Sequence, residues 1–206
     1  MNRSAIPVLA AAILLCGATA NAQAVNTDAA SAPSGKYNVQ PDHTQVVFSI
    51  LHMGISPYLG NIGRASGSLQ FDSKNPEKSS IVVDIDMNST STTSEEIKSQ
   101  LLSASVFDTA KFPKATFKST SIKKTSENTG DITGNLTLHG VTKPVTLHTR
   151  FHGIAHSLRN GTARLGFSAT GELKRSDFGL TIMPWAPTVD DSVDLMIEAE
   201  FIQDQK

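Results

Sequence analysis

A two-residue alternation of apolar side chains is the feature that most constrains the fold of this chain, and it is clearest from Asp42 to Gly54. There, Val46, Phe48 and Ile50 fall on one face of an extended strand, and His52 follows on the same face. Successive side chains of a strand point to opposite sides, so this spacing predicts a strand with one face turned inward. Because the same period returns along the chain, we expect a β-structure whose interior carries the function.

The alternation also defines the other predicted elements. Further strands are predicted at 65–71, 81–85, 132–138, 145–151, 165–173 and 193–201, with another around Phe117. One helix is predicted from Ser94 to Leu102, where a capping serine precedes two acidic residues and where Ile97 and Leu101 share one face. The pattern therefore indicates many strands and a single short helix.

Eight or so antiparallel strands joined by short turns can pair their edges by closing into a barrel, and a barrel of that size can hold one small ligand. The expected fold is all-β: an eight-stranded antiparallel lipocalin-like barrel with one short helix inserted between strands. A two-sheet sandwich with a solid core would show the same alternation and stays open as the alternative. Small residues on the presumed inner face favour the barrel, because they leave volume that leucine would fill. They are Gly67, Gly134, Ala169, Gly171 and Ala199.

The first 22 residues have the pattern of a signal peptide. A basic residue precedes an apolar run from Ala5 to Cys16 that is too short to span a bilayer, and the small residues that follow offer a cleavage site after Ala22. The chain is thus expected to be exported, with a mature protein that starts at Gln23. Cys16 could instead mark a lipoprotein, but the residue before a lipidated cysteine is normally small and Leu15 is not.

The rest of the chain is expected to be one domain preceded by a flexible linker. Residues 23–36 are small and polar without apolar periodicity, so they are predicted as a flexible linker, and residues 37–206 form the domain. Cys16 is the chain's only cysteine, so cleavage would leave no disulfide and no thiolate metal site. Cleavage also moves the formal net charge from −1 to about −2 without a basic cluster, so nucleic acid is not expected as a partner.

Four motifs follow one another along the chain: DxTxVxFxIxHMG at 42–54, FPKATFKS at 112–119, GNLTLHGVTKPV at 134–145, and GFxA followed by LKRSDFG between 166 and 179. Together they resemble the YceI family of exported polyisoprenoid-binding proteins, and the resemblance covers residues 37–201. It implies a lipocalin-like barrel in the periplasm whose apolar bore takes an isoprenoid chain, such as a prenyl phosphate or a quinone tail, as ligand and not as a cofactor. It implies no established catalysis.

The resemblance also implies a role: binding of a polyisoprenoid or other long-chain amphiphilic lipid, for transport, storage or a stress response. Two predicted contacts lie at the mouth, His52 for a head group and Trp185 as a lid. The others are the inward apolar residues Val46, Phe48, Ile50, Leu69, Phe71, Val83, Ile85, Phe117, Leu136, Leu138, Leu165, Phe167, Leu195 and Ile197. Each could instead be plain core packing, because barrel walls and barrel ligand sites use the same residue types. The sequence leaves transient membrane contact and a homodimer open.

The chain departs from the family at the predicted helix. Relatives often carry an Arg-Asp pair and a His-Leu-Arg-Ser run where this chain has Ile97, Lys98 and QLLS at 100–103. The helix is therefore more apolar than in those relatives. If it borders the mouth of the barrel, a less polar ligand or a membrane-facing lid becomes conceivable.

An enzyme that acts on such a lipid at the barrel mouth is the alternative function. Its acid/base candidates are His52, Arg175 and Asp177, and each also has a structural reading. His52 could end its strand by bonding a carbonyl, and the two charged residues could shape a turn. His148 and His152 lie roughly 13 Å apart on an extended strand, too far to share one metal ion. The sequence contains no recognisable metal-ligand cluster, phosphate loop or nucleophile motif.

Overall fold

The computed structural model describes residues 25–181 and 186–205, so the predicted signal peptide and Trp185 lie outside the described residues. Within these ranges the chain forms ten strands and one α-helix. The strands are β1 Gly35–Val39, β2 Gln45–His52, β3 Ser56–Asn61, β4 Arg64–Phe71, β5 Ser80–Asp86, β6 Lys114–Lys124, β7 Thr129–Leu138, β8 Val141–His156, β9 Ala163–Lys174 and β10 Val189–Gln203. The helix, α1, is Glu95–Leu102, in the connection between β5 and β6.

Eight of the strands close into an antiparallel barrel, which confirms the predicted fold class and excludes the sandwich. The hydrogen-bonded order is β1-β4-β5-β6-β7-β8-β9-β10, and β1 also pairs with β10. β2 and β3 extend the sheet as a hairpin, because β10 is long enough to pair first with β2 and then, near Phe201, with β1. Closure pairs the strand edges that would otherwise be open to aggregation.

The alternation in β10 shows how the sequence forms the wall of the barrel. Val193, Leu195 and Phe201 are buried and point inward, whereas Asp194 and Glu198 are exposed between them. An antiparallel strand with one solvated face requires this arrangement. The strands predicted from the same pattern at 65–71, 81–85, 132–138, 145–151 and 165–173 correspond to β4, β5, β7, β8 and β9.

Two short strands, β1 and β3, have no counterpart among the predicted strands. β1 has five residues, of which two, Tyr37 and Val39, are buried, and so short a run gives little periodic signal. β3 contains Pro57 and Gly60, which weaken the pattern of a strand. β3 pairs with β2 to form the β2–β3 hairpin, whose tip lies at residues 53–55.

The segment before β1 packs against the barrel. Ala32 is 3% exposed, and the Tyr37 hydroxyl donates to the carbonyl oxygen of Pro33 at 2.7 Å. The sequence predicts residues 23–36 as a flexible linker. In the structure the described residues before β1 make contacts of this kind, and the flexibility of the segment stays a prediction. A single buried alanine has no periodicity, so the composition of the segment gives no sign of these contacts.

α1 begins where the sequence predicts it. The Ser94 hydroxyl accepts a hydrogen bond from the Ile97 N–H at 3.3 Å, and Glu95 and Glu96 occupy the first turn, where the helix dipole favours negative charge. Leu101 is buried and Ile97 is half-buried. Such packing supplies most of the stability of an eight-residue helix. Across 25–181 and 186–205, no helix has the length and hydropathy needed to cross a membrane.

Candidate functional site in the barrel interior

A large cavity lies inside the barrel at the end that α1 covers, and we call it the helix-end cavity. Its volume is about 530 Å³. Inward residues of β2, β9 and β10 form one wall, and α1 with the connection after it contributes Ile97, Leu101 and Phe107 to the other. Most of the lining is apolar, because it combines the inward positions of alternating strands with the apolar face of a helix. α1 thus borders the cavity.

Two further spaces continue the interior away from α1. A middle compartment of about 120 Å³ is lined by inward residues that include Ile197 and Ala199. A far-end cavity of about 320 Å³ follows, and its wall shares Leu69 and Phe167 with the middle compartment. With a rise of about 3.3 Å per residue and a tilt of about 40°, the 12 residues of β9 enclose a bore roughly 30 Å long.

The helix-end cavity and the middle compartment adjoin each other. On β2, Phe48 lines the helix-end cavity and Val46, the next inward residue, lines the middle compartment. On β10, Leu195 and Ile197 are related in the same way. Side chains alone therefore separate the two spaces, and a ligand chain that passes between them has to displace only side chains.

At two glycines on the inner face, the ends of neighbouring side chains fill the space that a larger residue would occupy. A Cβ atom at Gly134 would lie 2.4 Å from the ring of Phe117, and one at Gly171 would lie 2.8 Å from a methyl carbon of Leu147. The sequence predicts that these glycines leave volume open, and this is wrong at both positions. Ala169 and Ala199, by contrast, do line the middle compartment.

The structure brings most of the sequence-predicted ligand residues to these spaces. Those that line the helix-end cavity are Phe48, Ile50, His52, Leu138 and Leu195. Those that line the middle compartment are Val46, Leu69, Val83, Ile85, Phe117, Phe167 and Ile197. Phe71 lines the far-end cavity. Their contact with a ligand stays a prediction.

Two described residues of the predicted set, Leu136 and Leu165, are absent from these three walls. Leu165 is 0% exposed and packs in a cluster with Tyr37 and Phe201, where β1 closes the barrel. Leu136 is buried in the cluster beside the helix-end cavity. Close packing at the closure accounts for the position of Leu165, whereas Leu136 lies on β7, away from the closing strands. Both side chains are part of the core, and contact of either with a ligand stays a prediction.

Arg175, one of the acid/base candidates, stabilises the loop that leads into β10 by hydrogen bonds to its backbone. Its guanidinium lies in the wall of the helix-end cavity. It donates to four backbone carbonyl oxygens, those of Leu180 at 2.8 Å, Asp190 at 2.9 Å, Ala186 at 3.1 Å and Val189 at 3.3 Å. Gly179 turns the chain in this loop at φ +72°, a conformation that glycine adopts readily. The structure therefore supports the turn-shaping role of Arg175, with carbonyl groups as its partners instead of Asp177.

The other two acid/base candidates lie in different settings. His52 is exposed and lines the helix-end cavity, and among the described residues its ring makes no hydrogen bond. Asp177 is exposed and is not part of the cavity wall. The structure thus brings His52 and Arg175 to one cavity and leaves Asp177 outside it.

Asp191 joins the start of β10 to the turn after β9. Ser176 donates to its carboxylate from the hydroxyl at 2.6 Å and from the backbone N–H at 2.9 Å, and these bonds hold the pKa of Asp191 below its ordinary value. A lowered pKa stabilises the fold above the unfolded-state pKa, and this contribution is lost as pH falls through the folded-state pKa. The hydrogen bonds between Ser176 and Asp191 therefore stabilise the fold at neutral pH.

The Arg175→Met variant is expected to be less stable than the wild type by about 3 kcal/mol, because it leaves several half-buried carbonyl oxygens without donors. For a chain of this size such a loss lowers Tm by about 10 °C. Lys174→Met, at the exposed neighbouring position, is the matched control. Thermal unfolding followed by circular dichroism measures both, and equal Tm values for the two variants would show that the carbonyl contacts do not hold the loop.

Tyr58 is a polar residue of the helix-end cavity that the sequence analysis does not identify. It lies in the cavity wall, and its hydroxyl is buried without a hydrogen-bond partner among the described residues. Tyr58, Gly60 and Ile62 follow a two-residue spacing, which is the signal that could have identified it. Pro57 within the same run conceals that signal.

His148 and His152 of β8 are exposed and have separate partners. His148 Nδ1 lies 2.8 Å from a carboxylate oxygen of Asp131, and His152 Nε2 bonds the hydroxyl of Ser168. Over the part of the chain that the structure describes, no group of three or more His, Cys, Asp or Glu residues could hold a metal ion.

Comparisons with known proteins identify relatives of this barrel. Residues 37–201 match the YceI-like domain. The protein YceI of Salmonella arizonae is 40% identical over 189 residues, which are 92% of this chain and 97% of that protein. The crystal structure of a YceI protein from Campylobacter jejuni is 30% identical, with a TM-score of 0.67 over 75% of this chain and 90% of that one.

A more distant structure shares the fold alone. It is described as a polyisoprenoid binding domain from Saccharophagus degradans implicated in plant cell wall breakdown, and it is 16% identical. Its TM-score is 0.64, over 82% of this chain and 98% of that one. The domain match and the identity to the Salmonella protein, together with the closed barrel, show that this chain belongs to the YceI family.

Proposed function

We propose that this protein binds a polyisoprenoid or other long-chain amphiphilic lipid, with the chain lying along the bore. The observation that carries the proposal is the series of spaces of about 530, 120 and 320 Å³ inside one barrel. A barrel with a solid core would fill such volumes with side chains. A linear apolar molecule fits a bore roughly 30 Å long better than a compact molecule does.

Burial of the chain supplies enough free energy for binding. Each methylene moved from water to an apolar bore contributes about 0.8 kcal/mol, so ten of them contribute about 8 kcal/mol. That is the size of a micromolar Kd, from which the cost of ordering the chain must be subtracted. Longer chains offset this cost, so the bore is expected to favour long lipids.

Binding is better supported than catalysis. The walls are mainly apolar, and the guanidinium of Arg175 is engaged with backbone carbonyls. The likeness in fold to a domain described as polyisoprenoid binding adds support. An enzyme that acts on the lipid at the barrel mouth is the alternative, and of its three candidate residues only His52 and Arg175 share a cavity.

We further propose that the protein works in the periplasm after export through residues 1–22. The basic residue, the apolar run and the small residues up to Ala22 support this location. In an aqueous compartment a closed barrel would shield a lipid chain from water for transport, storage or a stress response. A prenyl phosphate or a quinone would be cargo, and no cofactor is needed for binding.

Transient membrane contact through the β2–β3 hairpin is proposed as the route by which the lipid reaches the bore. Residues 44–63 contain no Asp, Glu, Lys or Arg. At the tip, Ile55 is 81% exposed and Met53 is 64% exposed, and His52 and Tyr58 beside the tip line the helix-end cavity. Exposed apolar side chains next to a lipid site suit a bilayer surface. A homodimer through the same hairpin is the competing use of this surface.

Native mass spectrometry of protein exported to a periplasm and purified without detergent tests lipid binding and export together. We expect a polypeptide mass that begins at Gln23 and one bound lipid, which organic extraction then identifies. A polypeptide that begins at Met1 would contradict cleavage of the signal peptide. Protein that stays empty after incubation with prenyl lipids would contradict lipid binding.

A further inference from the structure

One buried polar atom in the bore has no partner. The Tyr58 hydroxyl lies in the helix-end cavity, and it is the single buried side-chain N or O atom without a hydrogen bond among the residues that the structure describes. Burial of a hydroxyl without a partner costs stability, and buried polar groups are nearly always bonded. The unpartnered hydroxyl therefore points to an oxygen atom that arrives with the ligand.

The charged groups of the same cavity wall do not favour an anionic head group. Glu96 contributes a carboxylate, and Arg175 directs its guanidinium to four backbone carbonyls. The described part of the wall includes no lysine, and its one histidine, His52, is exposed at the end of β2. A phosphate in this cavity would lie near a carboxylate without a buried, unengaged cation, whereas an alcohol or a carbonyl group needs one hydrogen bond.

We propose that the Tyr58 hydroxyl hydrogen-bonds the oxygen of an uncharged ligand head group, an alcohol or a carbonyl. The proposal rests on the proposed function, because it orients a lipid within the bore. The head lies in the helix-end cavity beside Tyr58, and the first part of the chain packs against Ile97 and Leu101 of α1. The remainder of the chain then extends towards the middle compartment.

Tyr58→Phe tests this role, because it removes the hydroxyl and keeps the ring. The probes are farnesol and farnesene, an alcohol and a hydrocarbon with the same carbon skeleton, and their affinities are measured by displacement of a fluorescent lipid. We expect the variant to bind farnesol about fivefold to tenfold more weakly and farnesene unchanged. Equal affinities of variant and wild type for farnesol would overturn the proposal, as would tighter wild-type binding of farnesyl phosphate than of farnesol.

Tyr37→Phe is the matched control, since the chain has two tyrosines. The Tyr37 hydroxyl already donates to Pro33, and the residue packs in the cluster that closes the barrel. Its loss should lower Tm and leave the ratio of farnesol to farnesene affinity unchanged, whereas Tyr58→Phe should not lower the Tm of the empty protein. A Tyr58→Phe variant with a lower Tm and equal losses for both probes would overturn the anchoring role. Wild-type protein that binds neither farnesol nor farnesene would instead contradict the proposed function.

Discussion

The Ala199→Phe variant is expected to bind long-chain lipids about 100-fold more weakly than the wild type while it still folds as a barrel. Ala199 lies on the inner face of β10 and lines the middle compartment, which at about 120 Å³ is the smallest of the three spaces. A phenyl ring there occupies the space through which a lipid chain must pass. Exclusion of four methylenes, at about 0.8 kcal/mol each, removes about 3 kcal/mol and accounts for the predicted loss.

Met196→Phe is the matched control for the blocked bore. Met196 is on the outer face of the same strand, is 41% exposed and lines none of the three spaces, so its replacement should leave affinity unchanged. Titration with a fluorescent long-chain lipid gives the affinities. Thermal unfolding is measured in parallel, because overpacking at Ala199 costs about 1–3 kcal/mol. Equal lipid affinities for the two variants would contradict a chain that runs through the middle compartment.

The walls of the barrel could be predicted from the sequence because one face of most strands is apolar and the other is solvated. β10 is an example, with Leu195 inward and Asp194 outward. The prediction fails where that contrast is absent. In β3, Pro57 and Gly60 interrupt the apolar pattern. The segment before β1 contacts the barrel through one small buried residue and through hydrogen bonds. Contacts of that kind depend on the folded partner surface and leave no period in the sequence.

The site is less predictable, because alternation identifies inward residues without showing where space remains. Leu165 and Phe48 are both inward and apolar, yet Leu165 closes the barrel and Phe48 lines a cavity. Gly134 suggests open volume, but Phe117 from the next strand fills it. Volume inside a barrel depends on how side chains from several strands pack together. The sequence does not identify Tyr58 for a related reason, since only the fold shows that its hydroxyl has no partner among the described residues.

The Ile55→Glu variant is expected to bind lipid vesicles about 30-fold more weakly than the wild type. Insertion of one isoleucine into the bilayer surface contributes about 2 kcal/mol, which the variant loses. Ile55 is 81% exposed at the tip of the β2–β3 hairpin, so a glutamate there should leave the fold and Tm nearly unchanged. Co-sedimentation with vesicles of phosphatidylcholine and phosphatidylglycerol measures the binding, and Leu158→Glu supplies the control. Leu158 is 97% exposed in the turn between β8 and β9 and lines no part of the helix-end cavity.

The salt dependence and the oligomeric state separate membrane contact from the other uses of the hairpin. Because residues 44–63 carry no Asp, Glu, Lys or Arg, apolar insertion should persist when ionic strength is raised, whereas binding through charges would weaken. Sedimentation velocity measures the oligomeric state of the wild type and of Ile55→Glu. If Ile55→Glu and Leu158→Glu reduced vesicle binding equally, the hairpin would not be the contact. If Ile55→Glu converted a wild-type dimer to a monomer and left vesicle binding unchanged, the exposed tip would be a protein interface, and the lipid would have to reach the helix-end cavity by another route.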